Sequence, residues 1–168
     1  VRHNDEGDLN AISIGPPRTL VAALPGETWF TASSQAGGVL LALNRRVAQQ
    51  ALLLRIDRPT QPMELQGDYQ TLTAAISRDG KWAAAAYALA SGIQVWNAVT
   101  GQRECLLRPA ERPNESTSVA FSPDGQWIVS GGQDEYRFWH VGSWQPGPRV
   151  RRDQGEGWPY PPAFTPDG

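Results

Sequence analysis

The chain has 168 residues, of which 40% are hydrophobic and 19% are charged, and its formal net charge is −2. This composition is sufficient for the core of one domain, and it excludes the strong positive charge of a dedicated nucleic-acid binder. A single cysteine excludes both an internal disulfide framework and a cysteine-rich zinc site, and no hydrophobic run is long enough to span a bilayer.

The first part of the chain contains a short leading segment and one weakly marked unit. Residues 1–27 are interpreted as the end of a preceding unit or as a linker. The acidic segment 4–8 lacks the ligand spacing of a calcium loop, so we predict no metal site there. The unit 28–70 contains predicted strands at 28–32, 39–44, 51–57 and 63–66. Three consecutive leucines in its third strand indicate a strand that is buried on both faces.

The unit 71–115 repeats this order, with predicted strands at 72–76, 81–87, 93–97 and 102–107. Helix propensity favours a helix for the alanine run Ala83–Ala86. We nevertheless predict a strand there, because the run is short and the turn before it is in register with the following unit. Small side chains in this strand would let neighbouring sheets approach closely.

The unit 116–158 has predicted strands at 118–121, 126–130 and 136–141, followed by a basic outer strand. Residues 159–168 are interpreted as the start of a truncated further unit. The parallel between the units is a repeated pentapeptide, in which an apolar residue precedes Ser or Thr, then Arg or Pro, and then Asp-Gly. Its glycines lie 45 and 43 residues apart. The predicted turn residues are Asp79 and Gly80, then Pro123, Asp124 and Gly125, and finally Asp167 and Gly168.

These pentapeptides predict tight hairpins, because proline presets φ, aspartate bonds nearby backbone groups and glycine adopts a positive φ. A repeat of about 44 residues with strand-like flanks is typical of a four-stranded propeller blade.

Three segments, Val119–Gly125, Ser130–Asp134 and Phe138–His140, resemble the WD40-repeat family of β-propellers. The segment Val95–Gly101 resembles the end of the preceding repeat. The resemblance implies an all-β fold of four-stranded antiparallel blades, in a partial propeller of about three to four blades. It also implies that the remaining blades of a longer parent propeller pack against this chain.

The resemblance assigns a structural hydrogen-bond network to Ser130, Asp134 and Trp139, with Trp96 as the counterpart of Trp139 in the preceding unit. Such a network ties a turn to a strand by satisfying buried polar groups. The sequence departs from the family pattern at Asn97 and His140, which occupy the place of the aspartate that follows the family's tryptophan.

The sequence contains no nucleophile-elbow, zinc-protease or phosphate-loop motif. We expect Cys105 to be a buried small hydrophobic residue and His140 to cap the end of a strand, both without a catalytic role. The predictions are therefore that the chain is not an enzyme and that it binds no cofactor and no metal.

Two segments are candidate partner contacts. Trp158 and Tyr160 lie in a proline-rich connection, where they either pack on neighbouring blades or contact a peptide. Arg149, Arg151 and Arg152 form the densest positive cluster, which is either a solvated outer strand or a contact for an acidic partner.

The favoured function is a non-catalytic WD40-type scaffold that binds a partner protein or peptide through blade-end loops. One alternative is a regulatory or sensor propeller of a multidomain bacterial signalling enzyme, such as a serine/threonine protein kinase. Another is a propeller of the TolB or prolyl-peptidase type, against which Val95–Gly101 argues. We expect no nucleic-acid partner and no membrane segment, and a cytoplasmic location because no signal-peptide pattern is visible.

Overall fold

The computed structural model describes residues 9–13, 19–23, 28–33, 38–44, 50–66, 71–87, 92–108, 118–132, 134–152 and 161–165. These residues form strands, turns and irregular segments. No helix long and apolar enough to cross a membrane occurs in this described part of the chain.

The strands of the described residues form four antiparallel sheets, and within each sheet every strand pairs with its neighbour in sequence. A two-stranded sheet contains β1 (Leu9–Ser13) and β2 (Thr19–Ala23). Sheet I contains β3 (Thr28–Ser33), β4 (Val39–Asn44), β5 (Gln50–Arg55) and β6 (Arg58–Gln66). Sheet II contains β7 (Thr71–Ile76), β8 (Trp82–Tyr87), β9 (Ile93–Asn97) and β10 (Arg103–Leu107). Sheet III contains β11 (Ser118–Phe121), β12 (Trp127–Gly131), β13 (Glu135–His140) and β14 (Pro146–Arg151).

The alanine run Ala83–Ala86 is a strand, as predicted, because tertiary packing overrides its helix propensity. All four alanines are fully buried. Alternate members contact the neighbouring sheets on the two faces of sheet II. A larger side chain on either face would push the neighbouring sheet away.

The outer part of sheet I differs from the prediction. The predicted strand 51–57 ends at Arg55, and the following strand begins at Arg58 rather than at Met63. A two-residue turn joins them, in which the Arg55 Nε lies 3.0 Å from the Asp57 Oδ1. The residues left out of the predicted strand include two prolines, which lack an N–H donor. An edge strand tolerates such residues, because one side of its backbone needs no ladder partner.

Two hydrophobic layers hold the sheets together. One layer lies between sheets I and II and includes Leu53, Ala85 and Trp96. The other lies between sheets II and III and includes Val95, Ile128 and Trp139. Because each layer takes side chains from two sheets, each sheet depends on its neighbours for burial.

The sheets converge at their first strands and diverge at their last. Strand β7 contacts both β3 and β11, the first strands of the sheets on either side. The pairing of the third and fourth strands shows a register shift in each of sheets I to III. A bulge of this kind increases the local twist and turns the outer strand away from the sheet plane.

Candidate functional site

The hairpin that joins the first two strands has the same hydrogen-bond pattern in sheets II and III. In sheet II the Gly80 N–H donates to the Ser77 carbonyl at 2.9 Å, and Gly80 has a φ of 72°. In sheet III the Gly125 N–H donates to the Ser122 carbonyl at 3.0 Å, again with a φ of 72°. Glycine adopts this left-handed conformation without steric cost, which explains its place in the repeat.

The serine that begins each hairpin has a role that sequence reasoning missed. The Ser122 hydroxyl donates to the Asp124 carboxylate and accepts from the Trp127 backbone N–H at 2.9 Å. Ser77 makes the equivalent bonds to Asp79 at 2.7 Å and from the Trp82 N–H at 2.9 Å. The available signal was the Ser or Thr at the same place in each pentapeptide.

Both aspartates are held in the charged form. Hydrogen bonds from the Ser122 hydroxyl and the Gln126 N–H lower the pKa of Asp124. Partial burial acts to raise the pKa of Asp79, but the bonds from Ser77 and Lys81 outweigh it and the pKa is lowered. These aspartates therefore act as structural hydrogen-bond acceptors, and acid chemistry at neutral pH is not their role.

The turn between the third and fourth strands begins at Asn97 in sheet II. The Asn97 Oδ1 accepts from the Val99 N–H at 2.9 Å and from the Thr100 N–H at 3.1 Å. The turn closes at Gly101, whose N–H donates to the Asn97 carbonyl at 2.8 Å. The amide oxygen of Asn97 thus provides the acceptor that a carboxylate oxygen would provide.

The equivalent turn in sheet III is built differently. The His140 carbonyl accepts from the Trp144 N–H at 2.8 Å, which is the closing bond also found in sheet II. The His140 side chain is exposed, and its ring packs on that of Trp127 with the ring centroids 3.9 Å apart. Trp144 occupies the place of Gly101, with a φ of 57°. A non-glycine residue in this conformation is strained, so other contacts must hold it there.

Those contacts come from sheet II. The Trp144 indole N–H donates to the Glu104 carboxylate at 3.1 Å. Its ring meets that of Trp82 edge-on, with the ring centroids 5.0 Å apart. Trp144 therefore joins the last turn of sheet III to two strands of sheet II.

The predicted network residues lie in one part of sheet III. Ser130 and Trp139 are buried on neighbouring strands, and the register places both on the face that packs against sheet II. The Asp134 carbonyl accepts from the Arg152 N–H at 2.8 Å. Trp96, the counterpart of Trp139, is buried between sheets I and II. The hydrogen-bond network among these side chains stays a prediction.

The structure places the arginine cluster on and next to the outer strand β14. Arg149 and Arg151 are exposed, and Arg152 is half-buried directly after the strand. The Arg152 guanidinium donates to the Gly132 carbonyl at 3.0 Å and lies 5.5 Å from the centroid of the Tyr136 ring. The cluster thus divides into two exposed residues and one that anchors the end of the strand.

The remaining candidates are Cys105, a metal site and several residues near the two ends of the chain. Burial, and then the nearby Glu104 carboxylate, raise the pKa of the Cys105 thiol to about 11. Among the described residues, no group of three His, Cys, Asp or Glu side chains could hold a metal ion. The segment 4–8, Trp158, Tyr160, Asp167 and Gly168 lie outside the described residues.

Comparisons with known proteins agree with this geometry. The WD40 family model (WD domain, G-beta repeat) matches residues 113–139, which include the first hairpin and third strand of sheet III. The crystal structure of the RRP9 WD40 repeats superposes with a TM-score of 0.61 at 14% identity, over 85% of this chain and 41% of that one. Sheet III contains a WD40 repeat, and sheets I to III have the fold of β-propeller blades.

Two further solved structures superpose on most of this chain. KlHsv2 with loop 6CD replaced by a Gly-Ser linker has a TM-score of 0.66 at 16% identity, over 91% of this chain and 51% of that one. Kuenenia stuttgartiensis hydrazine synthase has a TM-score of 0.64 at 18% identity, over 79% of this chain and 39% of that one. The chain therefore matches about half or less of each structure's length, and no curated protein matches its sequence.

Proposed function

We propose that this WD40-type chain is a non-catalytic scaffold that binds a protein or peptide through the turns at the ends of its sheets. The observation that carries the proposal is the stack of three sheets joined by two buried layers. This stack fixes the strands, whereas the turns at the sheet ends present exposed side chains such as Arg78 and Val99. Rigid strands with variable end loops are suited to recognition.

The chemistry of Cys105 supports a role without catalysis. A thiol with a pKa of about 11 is almost entirely protonated at neutral pH and is a poor nucleophile. Its side chain packs against the layer between sheets II and III, as a small hydrophobic residue does.

Selection from a displayed library of random peptides tests the proposal, with the 168-residue chain as bait. We expect selected peptides to bind the chain with saturable affinity in fluorescence anisotropy. One variant, R78E/V99D, changes the turns at one end of sheet II, and a second, R108E, changes an exposed residue at the opposite end of that sheet. We expect one of the two to weaken binding by about tenfold or more, since contacts at a small interface centre dominate affinity.

The matched control is E64K/L106D, which changes exposed residues in the outer strands of sheets I and II. It should leave the affinity for the selected peptides unchanged. Failure of the library to yield a specific binder, or equal binding by all three variants, would contradict binding at the sheet ends.

A further inference from the structure

Two tryptophans from different sheets meet where sheet III lies against sheet II. Trp82 begins β8, and Trp144 belongs to the turn before β14. Their ring centroids are 5.0 Å apart and their planes are inclined at 89°, so the edge of one ring meets the face of the other. Both side chains are half-buried and therefore reach the surface. Two perpendicular rings in contact form a corner that is bounded by two aromatic faces.

An acidic side chain lies beside this corner. The exposed Glu104 carboxylate accepts from the Trp144 indole N–H, with the two atoms 3.1 Å apart. A carboxylate has two acceptor oxygens, so one such bond leaves capacity for a cation. Burial, and then the Glu104 charge, raise the pKa of the Cys105 thiol, which packs against the same layer between the sheets. The negative charge of Glu104 therefore acts on the surroundings of the two rings.

A bulge in β10 explains why Glu104 reaches this side of sheet II. Arg103 is opposite Trp96, whose side chain packs toward sheet I. Cys105 is opposite Val95, whose side chain packs toward sheet III. The register shift between Arg103 and Cys105 makes Glu104 the extra residue, and its side chain turns toward sheet III. Bulges commonly re-aim a side chain next to a functional site.

The corner is also a place where the chain maintains backbone strain. Trp144 has a φ of 57°, whereas Gly101 occupies the equivalent position of sheet II. Gly101 lies against the flexible Met63 side chain of sheet I, which offers no aromatic face. A residue held in a strained conformation is more frequent at ligand sites than elsewhere. The strained tryptophan and its ring partner are thus specific to the gap between sheets II and III.

Two aromatic faces beside a carboxylate suit one class of cation. A trimethylammonium group has no N–H donors to satisfy, and its charge is attracted to the negative face of each ring. An unmodified lysine ammonium is strongly hydrated and has three N–H donors, which ring faces satisfy poorly. A guanidinium is planar and stacks on a single ring, so it fits a perpendicular corner less well.

We propose that the corner formed by Trp82 and Trp144, beside Glu104, binds the trimethylammonium group of a methylated lysine on a protein partner. A choline headgroup contains the same cation, but the phosphate attached to it would be repelled by the Glu104 carboxylate. The proposal deepens the scaffold function, on which it rests, because it names a side chain that the partner carries.

The test follows the tryptophan indole N–H signals of the 168-residue chain by NMR during titration, at constant ionic strength. Two glycine-serine peptides are compared, one with a single trimethyllysine and the other with a single unmodified lysine. We expect the trimethyllysine peptide to shift the Trp144 signal and to bind about threefold more tightly or better. Choline should shift the same signal, whereas its neutral carbon analogue, dimethylbutanol, should not. Phosphocholine should bind more weakly than choline.

Two variants remove the parts of the site separately. E104Q removes the charge and keeps an acceptor for the Trp144 N–H, so binding of the trimethyllysine peptide should weaken about threefold. W144L removes one ring, should weaken binding about fivefold, and identifies the Trp144 signal by its loss. The matched control is E64Q, the same change at an exposed glutamate of β6, which should bind as the unmodified chain does. Circular dichroism verifies folding, and E104Q decides the test if W144L does not fold.

Equal binding of the two peptides, or of choline and dimethylbutanol, would overturn the proposal. Unchanged binding by E104Q, or an equal loss in E64Q, would do the same. Tighter binding of phosphocholine than of the trimethyllysine peptide would assign the corner to a lipid headgroup instead.

The scaffold function is judged separately from this site. Library-selected peptides that bind without shifting the Trp144 signal would leave the scaffold function standing, even if the trimethyllysine peptide fails to bind. Binding of the trimethyllysine peptide by a chain that selects no library peptide would support the corner and contradict binding at the sheet ends in general.

Discussion

Sheets II and III share their inner half and differ in their outer half. The hairpin between the first two strands has the same serine, aspartate and glycine bonds in both sheets. The turn between the last two strands is built on an asparagine and a glycine in sheet II, and on a histidine and a strained tryptophan in sheet III. The comparison shows that the inner hairpin is constrained by its own short-range bonds in both sheets, whereas the outer turn has such side-chain bonds only in sheet II and depends on contacts with the neighbouring sheet in sheet III.

The turn position occupied by Gly101 in sheet II and by Trp144 in sheet III lies against the preceding sheet in both cases. A Cβ added at Gly101 would lie 2.5 Å from the Met63 Sδ of sheet I. Trp144, at the equivalent position, contacts Trp82 and Glu104 of sheet II. In sheet II the neighbour comes close to a glycine, and in sheet III a large side chain makes the contact with the neighbouring sheet.

The largest expected effect tests whether the two hydrophobic layers contribute equally to stability. Trp96 and Trp139 are 2% and 4% exposed, and each fills the layer between its own sheet and the preceding one. Replacement of either by alanine should lower the free energy of unfolding by about 3–5 kcal/mol, measured by urea denaturation.

If an alanine variant does not fold, the phenylalanine variant of the same residue should show a smaller loss in the same direction. A loss at one tryptophan that is several times the loss at the other would show that the two layers are not equivalent.

The next effect concerns the shared hairpin. The changes S77A and S122A remove the hydroxyl that accepts the backbone N–H of Trp82 or Trp127. Each variant should lose about 1–3 kcal/mol of unfolding free energy, because a part-buried donor is left without its acceptor. Both serines are buried, so S143A, at an exposed serine of the outer turn, is the control and should change little. A neutral result for both buried serines would contradict the role given to the hairpin bonds.

At the turn position occupied by Gly101 in sheet II and by Trp144 in sheet III, glycine should give a more stable chain than alanine. W144A loses the aromatic contact and the Glu104 bond and keeps the strained backbone, so we expect a loss of about 2 kcal/mol. W144G loses the same contacts but relieves the strain, so it should be about 1 kcal/mol more stable than W144A.

In sheet II, G101A should be destabilised by about 1–2 kcal/mol, because its φ of 75° is unfavourable for alanine and the added Cβ would displace the Met63 side chain. Thermal denaturation of the three variants makes the comparison. If W144A were as stable as W144G, Trp144 would not be strained in the folded chain.

The smallest effect is a pH dependence that the two hairpins share. The pKa values of Asp79 and Asp124 are lowered from the ordinary value of 3.8 in the folded chain. Each carboxylate therefore stabilises the fold above that value, and the contribution is lost as the pH falls through the lower folded pKa. Urea denaturation between pH 2 and pH 6 should show this loss. D79N/D124N should flatten the profile at its acid end, and a profile as steep as that of the unmodified chain would contradict the assignment.

Sequence reasoning predicted the first two strands and the hairpin of sheets II and III because their signals are local. The Asp-Gly turns at residues 79–80 and 124–125 require a positive φ at the glycine that follows the aspartate, and this two-residue pattern is visible in the sequence. The start of β6 at Arg58 was missed, because prolines argue against a strand unless it is known to lie at an edge. Edge position is a property of the sheet and cannot be read from the segment itself.

The arginines of β14 were identified from the sequence, but their separation into Arg149 and Arg151 on one side and Arg152 on the other was not. The first two are exposed on a common face, and the third bonds back to the turn at Gly132. That difference depends on strand register, which the charges in the sequence do not encode.

The sequence by itself determined the reversals and the order of strands, because each rests on bonds between residues at most a few positions apart. Only the tertiary structure decided that Trp144 of sheet III bonds to Glu104, 40 residues earlier, and that the outer arginines share one face. The physical reason is that burial and facing depend on which sheets lie side by side, and that arrangement is settled by the packing of the whole stack.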